Sequence, residues 1–413
     1  MSKDSKKNLV GQPVFKQIIQ IIPKDKFDLI VKRNQSDKFY KSFFTWDELV
    51  TMLFGIFSRC DSMGEVCDGM RALGGKLNYL GMDCSPAKST AGDGLRERDE
   101  GLFRQVYEML IEHFQPLLSV SRKADIQFEM FYAFDSTTIS LFSDVLKGTG
   151  RNPKGDGKKK GGLKVHLLTD VHSDSAKFAN ISEAKMHDKK FLSKLSLSKG
   201  SMITMDRAYN FYKQFVAWTE EGVFFVTRQK KNAISQVIEI LYECSQTDKE
   251  DNNKACVLME EHIHLTYKEG KELKPLCLRR VTYRDEKGRI YHFITNNWNI
   301  TAEEVALIYK YRWTIELVFK KLKQNFQLHF FYSDTENGIK TQIWCTLIAH
   351  LLLNVIRQLS KTDKAFSTVA ALIRIHLISH LDVMWVVTEA RRTYAKRTKS
   401  KNKSPSVVQM SLF

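Results

Sequence analysis

The hydrophobic pattern of this chain changes its period near residue 128, and the change restricts the fold to a helical segment joined to a sheet. From residue 14 to about residue 120, apolar side chains recur at helical spacing, beginning with the segment VFKQII at Val14. From residue 128, the segment FEMFYAFDSTTISLF is rich in the aromatic and β-branched residues that favour strands. We therefore predict an all-helical N-terminal domain over residues 1–120, followed by a sheet.

The strand patterns then alternate with helical ones, which indicates an α/β fold with a mixed sheet flanked by helices. Strands are predicted at LKVHLLTDVH, KFANISEA, SMITMD and VFFVTRQK, and a helix at AYNFYKQFVAWTEE. Short alternating segments such as HIHLTY predict a β-rich insertion. The predicted parts after the N-terminal domain are a first sheet segment at 121–228, the insertion at 229–290, a second sheet segment at 291–360, and a C-terminal helix with a basic tail at 361–413.

The charge balance favours a polyanionic partner. Lys and Arg number 64 against 47 Asp and Glu, for a net charge of +17, and this excess suits nucleic acid because neutralised phosphates release counterions. The N-terminal segment lacks the apolar core of a signal peptide, and no run approaches the roughly 20 apolar residues of a membrane helix. The seven cysteines are scattered without a CxxC pair, which predicts a reducing, cytoplasmic compartment.

Two aspartates lie within or at the end of predicted strands, where a carboxylate indicates a possible function. Asp135 interrupts the apolar strand FYAFDSTTISLF, where a carboxylate is unfavourable without a task. Asp206 ends the strand SMITMD, and α/β sheets expose functional residues at strand ends. Each aspartate alone is equally well explained as a turn or capping residue. Together with a later helical glutamate, they form a much narrower pattern.

That glutamate, Glu316, belongs to a predicted helix from about residue 302 to residue 326. At about 100° per residue, the side chains of Tyr309, Arg312, Glu316 and Lys323 fall on one stripe beside the apolar face. The helix alone is as well explained by a solvated face with Arg–Glu pairing. Three carboxylates, however, suit Mg²⁺, which takes oxygen ligands, and two such ions about 3.5 to 4 Å apart can drive an in-line displacement at phosphate. Arg312 and Lys323 would then hold phosphate oxygens.

These residues resemble a known family. The spacing of Tyr309, Arg312, Glu316 and Lys323 is similar to the YREK signature of bacterial insertion-sequence DDE transposases, and FDST at Asp135 and DRAY at Asp206 resemble the two aspartate motifs of that family. The resemblance implies an RNase H-like catalytic fold with Asp135, Asp206 and Glu316 as catalytic metal ligands for two Mg²⁺ ions, for which Mn²⁺ substitutes. It also implies cut-and-paste chemistry on double-stranded DNA, binding of terminal inverted repeats and target by a homodimer, and DNA-phosphate contacts from the three other signature residues.

Several further residues carry weaker signals. Lys158, Lys159 and Lys160 lie in a Gly-rich basic run that suits a grip on the DNA backbone and a solvated loop equally. Trp298 is a candidate for stacking on an unpaired base, whereas Trp313 is predicted to pack in the core. The pair His262 and His264 faces one side of a strand but has no third ligand nearby in sequence, so no metal is predicted there.

Two other functions fit the same residues. One is an RNase H-like nuclease that selects DNA structure and ignores inverted repeats. The other is a domesticated DNA-binding protein, against which the three acids argue because a pure binder has no use for them. The short N-terminal helices suit binding of DNA ends, and also an ordinary helical bundle. We expect a cytoplasmic bacterial protein associated with the nucleoid.

Overall fold

A computed structural model describes residues 11–118, 127–140, 162–245 and 255–388, apart from the single positions 174, 185, 187, 327 and 329. The lysine cluster at 158–160 and the basic C-terminal tail lie outside these residues. The chain divides into two compact units. The first comprises Met1–Leu117 and Gln324–Phe413, and the second comprises Leu118–Lys323.

The first unit is helical, as predicted for the N-terminal segment. Its helices lie at Val14–Ile19 (α1), Lys24–Asn34 (α2), Thr45–Ser58 (α3), Met63–Ala72 (α4), Lys88–Glu97 (α5) and Glu100–Leu118 (α6). Helix α3 is buried on nearly all sides, and the side chain of its Glu48 pairs with buried Arg98. The backbone N–H of Phe15 donates to the carbonyl of Leu377 at 2.9 Å, which ties the start of the described chain to its last helical segment.

One helix of this unit, Glu336–Ser360, is the only one in the described residues that is long and apolar enough to cross a membrane. Its most apolar window is 94% buried inside the structure. It packs against α3 and α5, and Trp344 donates from its indole nitrogen to Glu100 at 2.5 Å. Burial against other helices of the same unit identifies it as a core helix.

The second unit contains one nine-stranded mixed sheet. Its first five strands are Phe131–Ser140 (β1), Gly162–Asp170 (β2), Ser175–Glu183 (β3), Met202–Met205 (β4) and Phe224–Arg228 (β5). They lie in the order β3-β2-β1-β4-β5, with β1 to β3 antiparallel and β4 and β5 parallel to β1. Every residue of β2 is buried, as expected for a strand covered on both faces. This arrangement confirms the predicted RNase H-like mixed sheet with flanking helices.

The predicted β-rich insertion continues this sheet. Its strands are Ser235–Glu243 (β6), Cys256–Glu269 (β7), Glu272–Arg284 (β8) and Ile290–Thr295 (β9). The order from β5 outward is β5-β9-β8-β7-β6, and each of these neighbours is antiparallel. The last strand, β9, pairs with both β5 and β8, so it joins the two halves of the sheet.

Helix α7, Tyr212–Glu220, connects β4 to β5 and packs on the sheet. Phe215 stacks on Phe225 of β5 with ring centroids 4.2 Å apart, and Trp218 is fully buried beside them. The apolar cluster extends to Phe134 of β1 and to Ile263 of β7. One continuous core therefore supports both halves of the sheet.

The predicted single helix from residue 302 to residue 326 is wrong, because the structure has two helices, Ala302–Lys310 (α8) and Trp313–Asn325 (α9). The break lies at Tyr311 and Arg312, where the backbone N–H of Arg312 bonds to the carbonyl of Tyr309, three residues back, at 3.1 Å. Tyr309 packs on Phe293, and Tyr311 packs on Phe131. Residues two apart lie about 200° apart on a regular α-helix, so both tyrosines cannot face the sheet without a break.

The predicted segment 291–360 is divided between the two units. Helices α8 and α9 up to Lys323 belong with the sheet, whereas Glu336–Ser360 (α10) and Phe366–His376 (α11) belong with the N-terminal helices. Apolar residues of α10 complete the core of the helical unit. The functional division into domains stays a prediction.

Candidate active site

Of the two predicted aspartates, Asp135 lies within β1, and Asp206 directly follows the adjacent parallel strand β4. Phe134 of β1 pairs in register with Met205 of β4, and Asp135 and Asp206 are the next residues along. Neighbouring positions on paired strands share a face of the sheet and lie about 5 Å apart. The sheet therefore brings together two carboxylates that are far apart in sequence.

Arg312 joins the first aspartate to the glutamate. Its Nη1 lies 2.7 Å from Oε1 of Glu316 and 3.6 Å from Oδ2 of Asp135. The Arg312 side chain is only 8% exposed, against 20% for Asp135 and 36% for Glu316. Burial opposes the charge on Arg312, yet Tyr309 and the two carboxylates raise the pKa of the guanidinium above its ordinary value. The break between α8 and α9 thus places a permanent cation among the acids.

The charges of the other two acids act on Asp135. Burial raises the pKa of Asp135 to about 6, and the negative charges of Asp206 and Glu316 add to that increase. The backbone N–H of Ser136 and the guanidinium of Arg312 act in the opposite direction. Acids that repel one another in this way bind a cation strongly when one is available, because the cation removes both the repulsion and the desolvation cost.

Tyr209 is a site residue that the sequence analysis missed. Its hydroxyl lies 3.3 Å from Oδ1 of Asp135 and 2.8 Å from Oγ of Ser136. Its ring packs edge-on against Phe134 at 5.1 Å and is 1% exposed. The available signal was its place in the DRAY motif, three residues after Asp206. The carboxylate of Asp206 caps the short 3₁₀ turn Arg207–Tyr209 by accepting from Ala208 N–H at 3.0 Å, and this turn directs the tyrosine back toward β1.

The other two signature residues occupy different surroundings. Tyr309 is 7% exposed and packs on Phe293 at 4.8 Å, and burial raises the pKa of its hydroxyl. Lys323 reaches β1, where its Nζ lies 3.3 Å from the carbonyl of Thr138, and burial lowers its pKa. Arg312 and Lys323 therefore reach the strand that carries Asp135 from the same helical segment. DNA contact by these residues stays a prediction.

The two tryptophans are partly exposed. Trp313 is 57% exposed and lies under the guanidinium of Arg312, 5.0 Å from it, so the prediction that it packs in the core is wrong. The helix break explains the difference, because it turns the first residue of α9 outward. Trp298 is 46% exposed and packs edge-to-face on His262 at 5.2 Å. Its predicted role in base stacking stays a prediction.

The residues present fit a divalent metal of the hard class. Asp135, Asp206 and Glu316 offer only oxygen atoms, which Mg²⁺ and Mn²⁺ prefer. Their carboxylates are not drawn into one tight group: among the described residues, the single trio of ligand atoms within 4.8 Å of one another lies elsewhere in the sheet. Three separated acids with a guanidinium between them suit a metal ion that also binds substrate phosphate. They suit an ion enclosed by protein ligands alone less well.

Comparison with known proteins decides the family. The family described as Transposase DDE domain matches residues 126–352, more than half of the chain. The chain belongs to the transposase DDE domain family. Residues 10–83 match a second family, described as Domain of unknown function (DUF4372). Members of the DDE family are DNA transposases that use divalent metal ions. The predicted membership among DDE transposases is confirmed, and the YREK assignment stays a prediction.

Two relatives by sequence agree with this membership. A Sinorhizobium fredii protein named as a transposase, y4zB, is 26% identical over 277 residues, which cover 67% of this chain and 73% of the relative. A Geobacillus stearothermophilus protein named as a transposase for the insertion sequence element IS5377 is 25% identical over 219 residues, 53% of this chain and 54% of the relative. A solved piggyBac transposase synaptic complex with hairpin DNA aligns with a TM-score of 0.42 and 13% identity, covering 97% of this chain and 86% of that chain.

Proposed function

We propose that this DDE transposase binds the terminal inverted repeats of its own insertion sequence as a homodimer and moves the element by cut-and-paste transposition. The observation that supports the proposal most strongly is the pairing of Arg312 with both Asp135 and Glu316, with Asp206 directly after the strand that pairs beside Asp135. The net charge of +17 suits a DNA partner. The N-terminal helices are proposed to bind the DNA ends.

The proposed reaction has two displacements at phosphorus. Water attacks the phosphodiester at the end of the element, the P–O bond to the flanking strand breaks, and a 3′-OH is released. This 3′-OH then attacks a phosphodiester, in the opposite strand to form a hairpin or in target DNA, and the displaced oxygen leaves with a proton. Two divalent ions held by the three carboxylates would supply activation of the attacking oxygen and stabilisation of the leaving oxygen.

The side chains of this chain have distinct proposed tasks. Asp135 must lose its proton before it can act as a ligand, and Arg312 favours that loss by lying 3.6 Å from its Oδ2. Arg312 and Lys323 are proposed to hold phosphate oxygens at the cut, the first through its planar fork and the second as a point charge. Tyr209 is proposed to position the Asp135 carboxylate through its hydroxyl.

The partly exposed Trp313 lies against the Arg312 guanidinium. We propose that stacking on the indole keeps the planar guanidinium directed toward the acids, also when Glu316 would be needed as a ligand for a metal ion. Trp298, Tyr309 and the cluster Lys158, Lys159 and Lys160 are proposed DNA contacts that rest on the sequence alone.

Cleavage of DNA that carries the ends of the element tests the proposal. Asp135→Ala, Asp206→Ala and Glu316→Ala should each lower strand cleavage by at least ~10³-fold, because each removes a ligand that stabilises charge in the transition state. Binding of the DNA ends, measured by gel shift, should stay within about threefold of the wild type, since the acids make no attractive contact with phosphate. The matched control is Glu220→Ala, which removes an exposed carboxylate at the end of α7.

Three results would contradict the proposal in different ways. If any of the three variants cleaves at the wild-type rate, the acid replaced in that variant is not a catalytic residue. Cleavage of branched DNA without regard to end sequence would favour the structure-selective nuclease. Specific end binding with no cleavage by the wild type in Mg²⁺ or Mn²⁺ would favour a domesticated DNA-binding protein.

A further inference from the structure

Two histidines and a cysteine meet on the insertion part of the sheet. His262 and His264 are two residues apart on β7 and therefore point to the same face. Cys277 lies on β8 directly opposite His264 in the strand register. One ligand atom from each of the three residues lies within 4.8 Å of the others. The third ligand that the sequence did not reveal comes from the neighbouring strand.

We propose that His262, His264 and Cys277 form a Zn²⁺ site. A thiolate and two imidazoles are borderline-soft ligands that select Zn²⁺ over Mg²⁺ and Ca²⁺, which prefer oxygen. Three protein ligands leave one tetrahedral position for water. The site is separate from the carboxylates of β1 and β4, because β7 and β8 belong to the opposite half of the sheet. It does not depend on the proposed function.

The surroundings of the cluster suit a bound cation. The Nε2 atom of His262 is buried and has no hydrogen-bond partner among the described residues, and an unsatisfied buried nitrogen is costly unless something binds it. Trp298 covers the His262 ring on one side, with centroids 5.2 Å apart. The two imidazole rings lie 5.5 Å apart at an interplanar angle of 78°. Cys277 is exposed, which leaves the site open to solvent on the side of β8.

The charged groups around the cluster are balanced. Arg279 lies opposite His262 on β8, but its guanidinium is paired with Glu260 at 2.8 Å and with the carbonyl of Ile300. On the other side, β6 places exposed Glu239 opposite His262. A bound Zn²⁺ would therefore lie near the guanidinium of Arg279, which Glu260 already neutralises, and near the exposed carboxylate of Glu239.

Bound zinc would join β7 to β8 beside the loop that carries Trp298. A hairpin pair is held by backbone hydrogen bonds along its length, and a metal bridge adds a side-chain link between its strands. Strand β8 also pairs with β9, and β9 pairs with β5. A link at β8 is therefore separated by the single strand β9 from the half of the sheet that carries Asp135. Bound zinc would therefore stabilise the pairing of β7 with β8, and its fourth position would stay open to water.

The first test measures zinc protection of Cys277 in the wild-type full-length protein. The metal-stripped protein is alkylated under excess Mg²⁺, with and without an equimolar amount of Zn²⁺, and each cysteine is followed by peptide mass mapping. Cys84 is the internal control, because it is also exposed but belongs to the helical unit. Zinc should slow alkylation of Cys277 at least tenfold and leave Cys84 unchanged. Equal rates at Cys277 with and without zinc, or equal protection of both cysteines, would overturn the proposal.

The second test measures zinc content after dialysis into buffer with Mg²⁺. The wild type should retain one zinc ion per chain, and His262→Ala and Cys277→Ser should retain less than a tenth of that amount. Matched controls are His376→Ala and Cys84→Ser, which should retain zinc like the wild type. If Cys277→Ser retains as much zinc per chain as the wild type, the assignment is wrong. If His262→Ala does not fold, the alkylation test still decides, since it uses the unaltered chain.

Discussion

The two halves of the sheet present two different sets of cation ligands. In the catalytic half, Asp135 and Asp206 offer oxygen atoms from parallel strands, and Arg312 already supplies a positive charge. In the insertion half, His262, His264 and Cys277 offer nitrogen and sulfur from one antiparallel pair. The first set is spread and charged, while the second is compact and carries at most one negative charge. The first set suits hard ions that are shared with phosphate, and the second suits a retained soft ion.

If both proposals hold, this difference would separate a reacting site from a zinc site within the same sheet. Strand β4 ends at Met205, beside Phe134 in the middle of β1, so Asp135 and Asp206 lie just beyond the last paired residues of these strands. Both are only partly buried, which leaves them open to a substrate. The insertion ligands lie within the strands β7 and β8, so the backbone ladder fixes them before any metal binds. Variants in each half should therefore have effects that stay in that half, and the following predictions test this separation.

After the three acids, the largest effect is expected at Arg312. Replacing it with Ala should lower cleavage by about 10²- to 10³-fold, because one charge-stabilising donor is lost at the reacting phosphate. Arg312→Lys should recover only a small part, since an ammonium lacks the planar fork that contacts both carboxylates. The measurement is the single-turnover rate at saturating Mg²⁺. Full activity of Arg312→Lys would show that only a point charge is needed.

The pH dependence of metal binding should follow Asp135. Its pKa is raised to about 6, mainly by burial and further by the other acids, so the folded protein holds this proton more tightly than the unfolded chain. The stability of the metal-free protein should therefore fall as pH rises from about 4 to about 6. Mg²⁺ affinity should fall about tenfold per pH unit below pH 6, because the proton competes with the metal.

Thermal unfolding at pH 5 and pH 7.5, with and without Mg²⁺, measures both effects of this proton. Asp135→Asn should be more stable than the wild type without metal at pH 7.5, by on the order of 2 kcal/mol, and should show no stabilisation by Mg²⁺. The insertion variant Cys277→Ser is the control and should keep the Mg²⁺ response. If Mg²⁺ stabilises the wild type equally at the two pH values, Asp135 is not a ligand of the metal.

A smaller effect is expected at Tyr209. Tyr209→Phe keeps the ring that packs on Phe134 and removes only the hydroxyl that contacts Asp135. Loss of one such hydrogen bond costs about 1 kcal/mol, so cleavage at limiting Mg²⁺ should drop about five- to tenfold. At saturating Mg²⁺ the rate should return to near the wild-type value, which a general loss of folding would not allow. An unchanged Mg²⁺ requirement would show that the hydroxyl does not position Asp135.

The smallest effect on catalysis is expected from the insertion. Cys277→Ser should leave the cleavage rate at 25 °C within about twofold of the wild type, because its strand does not carry the acids. The same variant should lower the unfolding temperature of the zinc-loaded protein, measured by scanning fluorimetry, since a link between β7 and β8 is lost. A thousandfold loss of cleavage in this variant would show that the two halves of the sheet are coupled.

Much of the fold could be predicted because it depends on local pattern. The apolar runs of β1, β2 and β4 and the amphipathic α7 each show their period within a few residues. The break between α8 and α9 could not be predicted, because it results from Tyr309 and Tyr311 both packing on the sheet. The pairing of β9 with both β5 and β8 is likewise set by strand order, which no local pattern carries.

The same limit applies to the candidate sites. Asp135, Asp206 and Glu316 could be singled out because their strand and helix contexts resemble a family motif, and their catalytic role stays a prediction. Tyr209 and Cys277 could not, since each depends on which strands are neighbours. The exposed position of Trp313 contradicted a reasonable expectation from its apolar size, because the helix break reversed the side of α9 on which it lies.

A metal-rescue measurement tests most directly whether the acids hold the catalytic metal. Asp206→Cys replaces an oxygen ligand with sulfur, which binds Mg²⁺ poorly and the softer Mn²⁺ better. Cleavage of DNA carrying the element's ends is then measured in each metal, with Glu220→Cys as the matched control. We predict that Asp206→Cys is inactive in Mg²⁺ and regains cleavage in Mn²⁺, while the control cleaves in both. Wild-type cleavage by Asp206→Cys in Mg²⁺ would contradict the assignment.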